Sequence, residues 1–231
     1  MKRQDIIETR ASRVLATIAA VVRAVEEYNE DYEPDGIRVD FRLESLLGDN
    51  VMQVRVNPGS EHRLEYYEEE LWHGRVEIIP DENAWGVTLT ELFRRAPRIA
   101  WKLERGMFVR AASTTTSTGL EFMYIYLRDG RVVELEGEEY RVSIPSVGDL
   151  AAAIVHTHPA GSCGLSKADV RSGIDHLVEG GLFEAAVTER CMIYMARIGL
   201  VSEEDYLKVW GSSREIIGPL NLKTIEVGVL Y

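Results

Sequence analysis

Near the start of the chain, apolar residues return at helical intervals. Ile7, Ala11, Val14, Ile18, Val21 and Val25 recur at alternating steps of four and three, forming one stripe and predicting a helix over residues 4–30. Such a stripe packs against its own domain or forms a seam with a second copy, so a homodimer through this helix is one expectation. Pro34-Asp35-Gly36 then breaks the chain. From 37 to 80 the period changes to two. Residues 37–43 alternate strictly, as do 51–56 and, less cleanly, 63–72, with turns at Asn57-Pro58-Gly59 and His73-Gly74. This reads as an antiparallel meander following the helix.

A second helical stripe, Leu89, Leu92, Phe93, Ala96, Ala100 and Leu103, predicts a helix over 88–104 that Pro97 kinks or restarts. Strand character follows at 107–112, then a Ser/Thr loop at 113–118. A hairpin comes next, with arms at 121–127 and 131–135 and Asp129-Gly130 at its tip. Residues 140–144 read as another strand, and Leu150 to Val155 as a buried one. Further on, the pattern gives a helix from about Asp169 to Val178, strands at 183–188 and 191–198, a helix over 206–210 capped by Ser202, and an extended end.

The 231 residues are 45% hydrophobic with no low-complexity stretch, which implies a folded protein with a substantial core. A formal charge of -12 argues against nucleic acid or an anionic membrane as partner. No apolar run is long enough to span a bilayer, and the apolar stretch 14–22 lacks the flanks of a signal peptide, so a cytoplasmic location is expected. Two cysteines, Cys163 and Cys191, are too few for a disulfide scaffold.

The chemistry concentrates in His156-Thr157-His158-Pro159, followed by Ser166-x-x-Asp169. Side chains alternate along a strand, so His156 and His158 project from the same face and can reach one metal ion. Pro159 cannot donate to a ladder and ends the strand. Ser166-x-x-Asp169 sits where a helix begins, with the carboxylate in its first turn. Each half has an ordinary reading, two unremarkable histidines and a common helix cap, and their co-occurrence is what carries the inference. Two imidazoles and one carboxylate leave a tetrahedral metal a fourth position, as in catalytic rather than structural zinc sites.

The stretch fits the pattern H-x-H-P-x(6)-S-x-x-D without a departure and resembles the JAMM, or MPN-plus, metalloprotease family in its prokaryotic form. The resemblance covers about 75 to 215. It implies an α/β (α+β mixed) fold, with a JAB/MPN-like curved sheet flanked by helices in residues 75–231. Residues 1–74 are then an additional helix and antiparallel strand segment of unassigned role. It also implies one Zn2+ per chain held by His156, His158 and Asp169, with Ser166 donating to the oxyanion. The expected activity is hydrolysis of a peptide or isopeptide bond at the C-terminal tail of a ubiquitin-like protein or its conjugates. The family draws its catalytic glutamate from an earlier strand, and Glu121, which opens the hairpin, is the leading choice. Glu104 is the rival, and Glu134, Glu136 and Glu138 are further candidates. In the family picture a Cys163–Cys191 disulfide is geometrically conceivable, although a reducing cytosol disfavours it. The competing functional class is a non-proteolytic, metal-containing MPN or RadC-like interaction module.

Overall fold

Residues Asp5 to Glu8 form a strand rather than the first turns of a helix. β1 (Arg3–Glu8) pairs antiparallel with β8 (Arg131–Glu139), Ile6 opposite Val133 and Ile7 opposite Val132. Helix α1 (Arg10–Tyr28) starts just after it because Thr9 and Ser12 cap it reciprocally. Thr9 Oγ1 accepts the Ser12 N–H at 3.0 Å, and Ser12 Oγ accepts the Thr9 N–H at 2.9 Å. Ala16, Ala20 and Ala24 are buried along with Ala11, Val14, Ile18, Val21 and Val25, so α1 is enclosed on nearly every side. Ala11, Val14, Ile18, Val21 and Val25 of the stripe thus pack within the chain, the first of the two arrangements expected, while Ile7 lies on β1.

The computed structural model describes residues 3–41, 50–139, 150–159, 163–211, 216 and 220–231. The expected strand at 140–144 lies outside them, as does the end of the 37–43 strand. A five-stranded sheet lies beyond α1. It contains β2 (Arg38–Asp40), β3 (Val51–Asn57), β4 (Tyr67–Leu71), β5 (Gly74–Pro80) and β6 (Val87–Thr88), in the order β4-β5-β3-β2-β6. It is not the expected antiparallel meander, because β3 runs parallel to β5. The intervening chain is pinned at Arg63, whose N–H and C=O both bond the Asn29 side chain, and it carries β4 to the outside of β5. The division expected at 74/75 falls at the first residue of β5, between paired strands of one sheet.

Helix α2 (Leu89–Thr118) absorbs the predicted 107–112 strand and the Ser/Thr loop. Its buried positions Phe93, Pro97, Ala100, Glu104, Phe108, Ala111 and Thr115 continue the same rhythm of fours and threes past residue 104, through Pro97. Near its end, Thr114, Thr115 and Thr118 donate to carbonyls four residues back, which satisfies hydroxyls that would otherwise favour a loop. Gly119 closes the helix at φ 74°, a left-handed position suited to glycine.

The second sheet has eight strands in the order β1-β8-β7-β9-β10-β11-β13-β12. Here β7 is Leu120–Leu127, β9 is Ala151–Thr157, β10 is Phe183–Val187, β11 is Met192–Arg197, β12 is Leu220–Asn221 and β13 is Ile225–Leu230. β7 and β8 form the expected hairpin, turning at Gly130. Tyr124, Tyr126, Ala153, Val155, Phe183 and Ala185 face α1 and α2 and join the core that also contains Met52, Val54 and Ile78 of the smaller sheet. The opposite face carries Ala186, Ile193 and Met195 and packs on α3 (Lys167–Val178) and α4 (Glu203–Trp210). Among the described residues the fold is thus mixed α/β, with two mixed, open sheets and α1 between them. No helix among these residues is long and apolar enough to cross a membrane.

Candidate metal centre

β9 is the central strand of the larger sheet, antiparallel to β7 and parallel to β10, and each of its residues is buried. Ligand sites in α/β sheets gather where parallel strands end at their carboxyl ends, and the motif lies there. The His158 N–H extends the ladder one residue to Val187 O, at 2.8 Å, and Pro159 then stops it. α3 connects β9 to β10, so its N-terminus returns to the end of β9.

The three expected ligands converge. His156 Nε2 lies 3.1 Å from His158 Nε2, 3.2 Å separates His156 Nε2 from Asp169 Oδ1, and 3.2 Å separates His158 Nε2 from Asp169 Oδ2. Asp169 presents a different oxygen to each histidine, and one ligand atom from each of the three residues lies within 4.8 Å of the others. The group can therefore hold a metal ion. Burial opposes protonation of His156, but hydrogen bonding and charge from Asp169 outweigh it and lift its pKa above the usual value. Burial would raise Asp169, yet its bonds to the two histidines hold it far below the ordinary carboxylate range. Metal and protons compete for these three side chains.

Ser166 caps α3: its Oγ accepts the Asp169 N–H at 3.2 Å, while Asp169 Oδ2 accepts the Ser166 N–H at 2.6 Å. The cap aims the carboxylate at the histidines and uses only the acceptor side of the hydroxyl. Cys163, in the loop between the ligands, forms a disulfide with Cys191 beside β11, with Cα atoms 6.3 Å apart.

Glu121 enters from β7. Met123 lies opposite His156, and the same register carried on places position 121 beside His158. A bulge against β8 falls at this point of β7. Burial raises the Glu121 pKa, countered by the charges of His156 and His158 and reinforced by that of Asp169, so the carboxyl senses all three ligands. The rival Glu104 is elsewhere. It accepts from Tyr126 Oη, on the α1/α2 face of the sheet, and burial raises its pKa. Glu134 and Glu136, opposite Tyr124 and Phe122, also belong to that face. The side chain of Glu138 lies outside the described residues.

Two features escape a reading of the sequence. Phe122 donates its N–H to Thr157 Oγ1 at 2.8 Å, and Thr157 Oγ1 lies 2.6 Å from Thr115 Oγ1, which bonds Ala111 O at 3.1 Å. This relay ties the residue after Glu121 to the residue between the histidines. The second is Glu184, on β10, only 2% exposed and bonded through Oε1 to Ser172 Oγ at 2.8 Å. Burial pushes its carboxyl up to about 7, against the pull of His156. Its one sequence signal is a lone acid in an apolar strand, Phe183-Glu184-Ala185-Ala186-Val187. A scan against protein-family models and a search of curated proteins each find no match to the chain.

Proposed function

We propose that the chain is a zinc-dependent peptidase of the JAMM type with a JAB/MPN-like fold, in which His156, His158 and Asp169 hold the ion. The observation that carries this reading is the convergence of two imidazoles and a carboxylate on one point, with the Glu121 carboxyl within their electrostatic reach. When bound, zinc supplies Lewis acidity toward water and toward an amide carbonyl. Glu121 takes a proton from the attacking water and returns it to the departing amine, a role that suits a carboxyl whose pKa is raised. The Ser166 hydroxyl proton is directed to the carbonyl oxygen as it gains charge. The substrate implied by the family likeness is a peptide or isopeptide bond following the tail of a ubiquitin-like protein.

The test incubates zinc-loaded protein with linear and isopeptide-linked ubiquitin-like fusions, with and without chelator, beside Glu121→Gln and Glu104→Gln. Cleavage is expected from wild type and Glu104→Gln. It should vanish with chelator and fall by about 100-fold or more in Glu121→Gln. Full activity in Glu121→Gln overturns the role of Glu121, and activity that survives chelation overturns the metal mechanism. A folded, zinc-loaded protein that cleaves neither substrate class favours the non-proteolytic interaction module instead.

A further inference from the structure

The three ligating atoms at the candidate centre are Nε2 of His156, Nε2 of His158 and the Asp169 carboxylate. An imidazole that offers Nε2 to a metal carries its proton on Nδ1, and that N–H needs an acceptor. His156 Nδ1 is buried and has no hydrogen-bond partner, and the residue is 4% exposed.

One carboxylate oxygen nearby is in the same condition. Glu184 Oε2 is buried and unpartnered, while Oε1 is held by Ser172 Oγ at 2.8 Å. Ser172 follows Asp169 by almost one turn of α3 and also bonds Asp169 O at 3.2 Å, so Glu184 is tied to the helix that carries a ligand. On the sheet, Ala186 is opposite His156 and Glu184 is opposite Ile154, so by alternation Glu184 shares the face of His156. α3 lies close over this spot: a Cβ on Gly173 would sit 2.6 Å from Met195 Cε and 3.5 Å from Glu184 Cβ. Leaving a buried donor and a buried acceptor unsatisfied in such an enclosure is unfavourable, and each is the kind of partner the other lacks.

We propose that Glu184 accepts the Nδ1 proton of His156, directly or through one water, and so fixes the tautomer in which Nε2 faces the metal. Glu184 is a positioning residue that acts through His156, and the inference rests on the metal-binding reading above. Carboxylate–histidine–metal chains of this type orient the ring and raise its basicity, and losing the outer group typically weakens metal binding by about 10–100-fold.

Two readouts test it. Zinc dissociation constants, measured by competition with a chromophoric chelator, should rise by about 10–100-fold in Glu184→Leu and by less in Glu184→Gln, whose amide oxygen still accepts. Long-range 15N spectra of the zinc-loaded wild type should show His156 with a slowly exchanging Nδ1–H, shifted in Glu184→Gln; a merely structural role for Glu184 would not move that signal. A folded Glu184→Leu with wild-type zinc affinity overturns the proposal. So does an Nδ1–H that exchanges freely, or one that is unchanged in Glu184→Gln, a test that stands even if Glu184→Leu does not fold. A wild-type chain that binds no zinc removes the metal site itself, and this inference with it.

Discussion

Thr157→Val cuts the relay between the ligand strand and Glu121 without changing side-chain volume much. Thr115 donates to Ala111 O, so the Thr157 proton goes to Thr115 Oγ1, leaving Thr157 to accept the Phe122 N–H. Valine keeps the β-branched shape but leaves that N–H without an acceptor and Thr115 Oγ1 without its donor. Stranding a buried donor costs about 1–3 kcal/mol, so a loss near 2 kcal/mol is expected. For a chain of this size that lowers Tm by about 4–8 °C. Thr115→Val should cost only about 1 kcal/mol, because Thr157 still serves Phe122. The double variant should be about 0.5 kcal/mol or more milder than the sum, since the two hydroxyls share one chain of bonds. Urea titrations of the four proteins measure this cycle. Under the proposed mechanism, hydrolysis should fall further than stability alone explains, because a shift of about 1 Å in a catalytic group costs on the order of 100-fold. Strict additivity, or Thr157→Val as stable as wild type, refutes the relay.

His176 makes stability depend on acid. Burial lowers its pKa to about 3, helped by the charges of Arg128 and Arg197, so the unfolded chain takes up a proton that the folded chain refuses. The stabilisation is complete above the ordinary histidine pKa of about 6.5 and is lost as pH falls, by at most about 5 kcal/mol over the whole interval. Urea melts at stepped pH should therefore show a slope between pH 6 and 4 that is shallower in His176→Asn by about 1 kcal/mol per pH unit; an unchanged slope sinks the assignment. The Cys163–Cys191 bond closes a loop with a sequence separation of 28 residues. Reducing it should cost about 3–4 kcal/mol, and calorimetry with and without reductant should show Tm falling by about 10 °C.

The convergence of His156, His158 and Asp169 was legible because its signals are local. Alternation aims His156 and His158 to one face, and a capping box fixes Asp169 within a few residues of its cause. Glu121 is different: composition and periodicity give it no distinction from Glu104, and only the register of β7 on β9 and the sidedness of the sheet separate them. Helix and strand limits depart from the local sequence pattern where tertiary contacts override local preference. Asp5 to Glu8 look helical until β8 offers them a partner, and the Ser/Thr run at 113–118 looks like a loop until its hydroxyls bond back along α2. The parallel pairing of β3 with β5 depends on a chain crossing held by Asn29, a contact that no local pattern announces. Thr157 and Glu184 matter through partners distant in sequence, so their roles emerge only once the strands are paired.

Zinc content measured by mass spectrometry after loading and desalting tests the account most directly. Wild type and Glu121→Gln should each retain about one equivalent, as three protein ligands remain in both. His158→Ala and Asp169→Asn should retain far less. A wild-type protein that keeps less than about half an equivalent, or variants at the three positions that keep as much as wild type, would contradict the proposed metal centre at the end of β9.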